Sequence, residues 1–222
     1  MTQTEAAAFK PLARPAMAAR VAQEIPEGWF VNLGIGLPTL VADHVPLDRE
    51  VIFHSENGVL GMGPAPEKDK IDPWLINAGK QHVTLRPGGA FFHHADSFAM
   101  IRGGHIDLCV LGAFQVAENG DIANWATSEN DTAPAVGGAM DLAAGARRVW
   151  VLMEHTTKDG TSKLVRTCTY PLTALGAVAR VYTNLAVLDV TARGFVVRDM
   201  APGLTFAALQ DRTDAQLHRA DD

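Results

Sequence analysis

The segment Ser55-Glu56-Asn57-Gly58 follows directly on the apolar run Val51-Ile52-Phe53-His54 and leads into the loop Gly61-Met62-Gly63-Pro64-Ala65-Pro66. A charged carboxylate right after a buried strand and ahead of a glycine turn is poorly explained by solubility, since burying charge is costly and any exposed loop would carry it. Two readings of Glu56 are open from its position: a structural acid that forms a salt bridge or caps the turn, and a functional carboxylate. With a reference pKa of about 4.3, glutamate is ionised at neutral pH and needs no general base to become reactive.

Other residues offer weaker chemistry. Gly34-Ile35-Gly36-Leu37-Pro38-Thr39 begins like a dinucleotide-binding turn, but Thr39 stands where the third glycine belongs and no acidic ribose ligand follows a second strand. It reads as a tight turn needing small residues, or as backbone amides that approach an anionic ligand. His93 and His94 with Asp96 suggest metal ligands, yet adjacent histidines diverge and no further His or Cys cluster completes a set, so no metal is expected. They read as a surface pair, or as one histidine turned towards a substrate carboxylate. Cys109 and Cys168 lack CxxC spacing and are expected as reduced, packed thiols.

The elements that must hold Glu56 are legible in outline. Met17, Val21 and Ile25 recur at helical spacing until Pro26 and Gly28. Trp29 to Leu33 reads as a strand, and Pro38 opens a second helix through Val41. Further strands are expected at Val51–His54, His82–Leu85, Ile106–Leu111, Val149–Met153, Val181–Thr183 and Leu185–Val190. Asp96 caps a short helix Ser97–Ile101 closed by Gly103 and Gly104, turns fall at Glu118–Asp121 and Ala192–Gly194, and a last helix spans Phe206–Leu209. Near-continuous apolar strands alternating with glycine turns and helices predict an α/β domain with an open, largely parallel sheet flanked by helices. Ligands bind such sheets beyond the carboxyl ends of the strands, which is where Glu56 falls. The expected division is a flexible N-terminal tail at 1–13, a single domain at 14–210 and a C-terminal tail at 211–222.

With 222 residues, 47% of them hydrophobic, the chain is long enough for a full core. The net charge of −6 and the lack of a basic run argue against nucleic acid and anionic membranes as partners. No stretch reaches the about 18 apolar residues that span a bilayer, and the start of the chain has no apolar signal core, so the expected location is the cytoplasm.

Phe53-His54-Ser55-Glu56-Asn57-Gly58-Val59-Leu60-Gly61 resembles the active-site segment of the family I CoA-transferases. The resemblance continues through Asn32-Leu33-Gly34-Ile35-Gly36, Leu75 to Lys80, Ser97 to Gly104, Gly120 to Trp125 and Gly137 to Leu142, in the family's order and over nearly the whole of residues 15–200. Within the family, Phe91-Phe92-His93-His94-Ala95-Asp96-Ser97-Phe98 and Ala133 to Gly138 look most like β-subunits that act on 3-oxoadipate. Acetoacetate-type members carry a Pro-Gly-Lys segment where this chain has Thr127 to Thr132, so no lysine contact is carried over to that loop.

The resemblance implies ping-pong transfer of CoA from succinyl-CoA to a 3-oxo acid through a glutamyl-CoA thioester at Glu56, with CoA thioesters as substrates and no separate cofactor. It implies an oxyanion contact from the backbone amide of Gly138, and CoA contacts at Asn32, Lys80, Asn124, Gly138 and Ala139. His93 and His94 are expected to recognise the distal carboxylate of the acid. Because the family seals its site between two related subunits, a partner α-subunit in an α2β2 assembly is expected and the lone chain is expected to be inactive. The rival acid pairs are acetate or butyrate with acetoacetate; a non-catalytic effector-binding α/β module and an acyl-CoA hydrolase are the readings from other classes.

Overall fold

The computed structural model describes residues 9–128 and 136–220. The segment 129–135, which includes most of the expected loop and Ala133 to Ala135 of the resemblance, lies outside the described residues, as do 1–8. Helix α1 (Arg14–Glu24) carries Pro15 in its first turn, where the missing N–H removes no bond, and buries Met17, Ala18, Val21 and Ala22 as one stripe. β1 (Phe30–Leu33) is followed by a 3-10 helix (Leu37–His44), β2 (Ile52–Ser55), β3 (Val59–Met62), β4 (Leu85–Phe91), α2 (His94–Arg102), β5 (Leu108–Leu111), β6 (Gln115–Ala117) and β7 (Ile122–Ala123). Then come α3 (Ala139–Gly145), β8 (Val149–Leu152), β9 (Leu164–Val165), β10 (Val178–Tyr182), β11 (Ala186–Thr191), β12 (Gly194–Met200), α4 (Phe206–Gln210) and β13 (Leu217–Arg219).

Ten strands form one sheet in the order β13-β12-β11-β10-β8-β5-β1-β2-β3-β4, and β7-β6-β9 form a second, small one. The centre, β10-β8-β5-β1-β2, is parallel throughout, with antiparallel ribbons on either side. Both faces of this centre are covered. Leu108, Val110, Trp150 and Leu152 pack with Met17 and Val21 of α1, while Cys109, Leu111, Val149 and Val151 pack with Ile101 of α2 and Leu142 of α3. The two-residue period of a strand sends neighbours to opposite cores, which is why these runs are apolar without alternation. From β1 the chain steps to β2 on one side and later to β5 on the other, so the carboxyl ends of β1 and β5 flank a topological switch point.

Several expectations shift. The helix opened by Pro38 is the 3-10 helix Leu37–His44. The strand expected at His82–Leu85 begins at Leu85 and runs to Phe91 through Pro87, Gly88 and Gly89; it tolerates proline because it is the sheet edge. Gly61 and Met62, expected as the start of a loop, instead end β3 (Val59–Met62), which pairs with it. Asp96 does not cap α2: the N-cap is His93, whose Nδ1 accepts the Ala95 N–H at 3.1 Å, and Asp96 sits in the first turn. β12 was signalled by its turn alone. The segment after 210, expected as a tail, buries Thr213, Ala215 and Leu217 and adds β13 to the sheet. Among the described residues no helix is long and apolar enough to cross a membrane.

Candidate active site

The catalytic candidate is positioned by three neighbouring parallel strands. In their register Asn32 of β1 lies beside His54 of β2 on one side and Cys109 of β5 on the other. Each is a polar or soft side chain inside an otherwise apolar strand, and all three are buried. Asn32 Nδ2 donates to Glu56 Oε2 at 3.0 Å and lies 3.1 Å from His54 Nδ1 and 3.3 Å from the His54 carbonyl. Its Oδ1 faces the Cys109 thiol, 3.9 Å away. An amide that donates to His54 Nδ1 makes that nitrogen the acceptor, so Nε2 carries the proton and donates to Ser97 Oγ at 2.9 Å. The Ser97 hydroxyl closes the chain on the Ser55 carbonyl at 3.4 Å.

Burial lowers the His54 pKa to about 4 and so keeps the imidazole neutral, while burial, followed by the nearby Glu56 charge, raises that of the Cys109 thiol. A buried polar network of this kind is stabilising only when every member is satisfied. Its product is one fixed orientation of the Asn32 amide, and through it of the Glu56 carboxylate.

The turn itself is held from four sides. His94 Nδ1 donates to the Glu56 carbonyl at 2.9 Å, the Ala78 N–H donates to Ser55 Oγ at 3.0 Å, Asn57 Nδ2 donates to the Ile76 carbonyl at 2.8 Å, and the Gly58 N–H returns to the Ser55 carbonyl at 2.9 Å. Gly58 has φ +104°, and a Cβ there would stand 2.1 Å from the Phe92 carbonyl oxygen, so the position admits glycine alone.

Glu56 faces a cavity of about 400 Å³ at the carboxyl ends of β1, β2, β5 and β8. Backbone at Gly34, Gly112, Gly137 and Gly138 forms much of its wall, with Leu111, Leu142 and Leu152 below and Arg14, Glu154 and Lys163 as its other charged side chains. Volume and lining match a small-molecule site in which a few polar groups converge in an apolar cleft. Gly138 is the N-cap of α3, and a Cβ on it would meet Phe98 Cζ at 2.9 Å.

Of the expected site residues, Glu56, Asn124, Gly138 and Ala139 line this one cavity, and Asn32 touches it through Glu56. Asn124 is braced: its Nδ2 donates to the Gly112 carbonyl at 3.2 Å and its Oδ1 accepts from Thr173 Oγ1 at 2.6 Å. Lys80 is not among the lining residues; it stands exposed with φ +62° in the Ile76–His82 turn that braces Ser55 and Asn57. His93 and His94 do not line the cavity either. The first caps α2 and the second holds the Glu56 carbonyl, so this geometry lends no support to their gripping a substrate carboxylate. Among the described residues no group of three or more His, Cys, Asp or Glu is placed to hold a metal ion. Sequence reasoning missed the roles of His54, Ser97, Cys109, Arg14, Glu154 and Lys163. The first had a visible signal, a polar residue in the interior of an apolar strand.

Neutral buried histidines set a pH dependence. His155, between Thr183 Oγ1 at 3.0 Å and Thr213 Oγ1 at 2.9 Å, also has its pKa lowered to about 4, chiefly by burial and then by Arg212. Since the unfolded chain binds these protons near pH 6.5 and the folded chain near 4, stability is intact above 6.5 and falls as pH drops through that window. The loss is about 3 kcal/mol per histidine. Urea unfolding at pH 7 and pH 4 is expected to show a drop that is smaller by about that amount in His155→Gln; an unchanged drop would mean that His155 is charged in the fold.

The sequence matches the coenzyme A transferase family over residues 14–211. It is 61% identical over 201 residues to a subunit of the 3-oxoadipate CoA-transferase of Pseudomonas putida, covering 90% of this chain and 94% of that one. To the corresponding 3-oxoadipate CoA-transferase chain from Acinetobacter baylyi it is 55% identical over 209 residues, covering 94% and 96%. Among solved structures it superposes on the acyl-CoA transferase YdiF of Escherichia coli O157:H7 with a TM-score of 0.73 at 21% identity, spanning 96% of this chain but 43% of the longer YdiF chain. At that identity the superposition speaks for the fold alone, and it agrees with the open α/β sheet. A match over almost the entire chain, together with a glutamate held at the mouth of the cavity, establishes that this chain belongs to the coenzyme A transferase family.

Proposed function

We propose that this chain is the nucleophile-bearing half of a transferase that moves CoA from succinyl-CoA to a 3-oxo acid, 3-oxoadipate, through Glu56. The observation that carries the proposal is the Glu56 carboxylate, tied at 3.0 Å to the fully buried Asn32 amide and facing a cavity with the Gly138 backbone on its wall. The close similarity to chains of 3-oxoadipate CoA-transferases supports the choice of acid.

In this reading a Glu56 oxygen attacks the thioester carbonyl carbon and the C–S bond breaks, releasing CoA thiolate and leaving a mixed anhydride. The thiolate then attacks the Glu56 carbonyl carbon and expels succinate, giving the glutamyl-CoA thioester. The carboxylate of the second acid attacks that thioester, a second anhydride forms, and the thiolate returns to the new acyl carbon while Glu56 leaves as carboxylate. No proton is consumed, in keeping with a site whose nearest histidine, His54, is held neutral. The Asn32 N–H serves the free carboxylate and the acylated carbonyl in turn, and the Gly138 amide serves the oxyanion. Lys80, Asn124, Gly138 and Ala139 are the proposed CoA contacts.

The chemistry needs a dry site, because an anhydride that meets bulk water hydrolyses. Ile35, on the cavity wall, is 68% exposed, which supports cover of the site by a second chain; an α-subunit in an α2β2 assembly and a cytoplasmic location complete the proposal. The test is peptide mass spectrometry of the co-expressed assembly after exposure to succinyl-CoA. A CoA adduct on the Glu56 peptide, absent in Glu56→Gln, is the expected result, with 3-oxoadipate outcompeting acetoacetate in discharging it. An active assembly that binds CoA without ever forming the adduct would instead be a hydrolase or a binding module.

A further inference from the structure

Two acids and two cations face the cavity: Glu56, Glu154, Arg14 and Lys163. Arg14 Nε and Glu154 Oε1 pair with each other at 3.2 Å. Glu56 is held by a neutral amide, so its charge is not cancelled there. That leaves Lys163, whose ammonium makes no hydrogen bond or ion pair among the described residues. Its backbone is pinned, donating to the His155 carbonyl at 3.1 Å and accepting from the Val116 N–H at 2.9 Å, next to fully buried Leu164. The root of the side chain is therefore fixed at a position that lines the cavity. Burial lowers the Lys163 pKa against the opposing pull of Glu154. A partly desolvated cation with no direct ion pair, opposed only by the charge of a Glu154 already paired with Arg14, is unfavourable in the empty protein, and such groups mark places where a ligand completes the charge balance.

The same balance matters to the reaction. An anionic reactant entering a cavity that already holds the Glu56 carboxylate is repelled unless a cation offsets it. We propose that Lys163 forms an anion subsite in this cavity, separate from the Glu56 turn, that takes a carboxylate or phosphate group of the substrate. The inference rests on the transferase reading above. A carboxylate would be the non-reacting end of a dicarboxylic acid, and a phosphate would belong to the CoA moiety.

The experiment uses the assembled enzyme with Lys163→Gln and Lys163→Arg, on preparations in which wild type forms the Glu56 adduct, so that failure of the transferase reading shows separately. Lys163→Gln is expected to lose about 10- to 100-fold in kcat/KM, the usual worth of a charge-assisted bond, and Lys163→Arg to recover most of it. Loss confined to dicarboxylic acids, sparing acetoacetate, identifies the carboxylate. Equal loss with every acid, absent when pantetheine thioesters replace CoA thioesters, identifies the phosphate. A second measurement needs no variant: acylation of Lys163 in wild type by acetic anhydride, followed by peptide mass spectrometry, is expected to slow about tenfold with saturating succinate or CoA. Unchanged kcat/KM for all substrates, or labelling that neither succinate nor CoA slows, overturns the proposal.

Discussion

Glu56→Gln is expected to lower CoA transfer by roughly 10⁴-fold or more, with the protein folded and assembled as wild type, because the substitution removes the only group that forms the covalent intermediate. The amide is nearly isosteric, so Asn32, His54 and Ser97 keep their places and the loss reports chemistry instead of misfolding. Glu56→Asp separates nucleophile from position. It keeps the carboxylate but withdraws it by one methylene from the Asn32 amide that now meets it at 3.0 Å. Transfer is expected to fall about 10²-fold, the usual result of misplacing a reacting group by an ångström or so. The fraction of acyl-CoA lost to water should rise, since a receding carboxylate leaves room for a water molecule. Steady-state rates of transfer and of thioester hydrolysis, measured side by side, decide this; equal transfer rates in wild type and Glu56→Gln would remove Glu56 from the mechanism altogether.

Asn32→Leu is expected to cost about 10²- to 10³-fold in kcat/KM while leaving the CoA adduct on Glu56, formed slowly. The substitution conserves shape but removes one donor shared between the carboxylate and His54 Nδ1, and one acceptor facing the Cys109 thiol. Losing a preorganised donor at a reacting oxygen raises the barrier by about 2.7–4 kcal/mol. Orphaning buried polar partners also lowers stability, by about 1–3 kcal/mol for each group left unsatisfied. Asn32→Asp gives a second, qualitative readout. It places another negative charge about where the amide now contacts Glu56 and next to neutral His54, so the three groups take up a proton between them. An ionisation additional to those of wild type, measured alongside, is expected in the pH profile of kcat/KM. A profile in Asn32→Asp identical to that of wild type would mean that the Asn32 amide and Glu56 are not in contact during the reaction.

The two substitutions act at different levels, and this bears on what was readable in advance. Glu56 stands out from local pattern alone: an apolar run that stops at a carboxylate, followed by a glycine that the backbone requires at φ +104°. The helix stripe of Met17 and Val21, and the central strands from Phe30 to Tyr182, follow from periodicity and run length. The edges were harder. β4 contains Pro87 and two glycines, which local rules count against a strand, and it exists because the β3 edge offers it unpaired backbone groups. β13 is a three-residue strand that pairs with β12 far from any turn between them, so nothing local announces it.

What the sequence by itself determined is the local chemistry: a nucleophile at a strand end, glycines where the backbone turns tightly, apolar strands that must be covered on both faces, and the family to which those motifs belong. What only the tertiary structure decided is which side chains meet Glu56. Asn32, His54 and Cys109 become neighbours through the register of three parallel strands, and parallel neighbours are joined by crossovers whose length does not encode that register. Lys163 and Arg14, far apart in the chain, reach the same cavity from the approach to a short strand and from the start of a helix. Periodicity reports which face a residue takes, and only the packed sheet reports what stands opposite it.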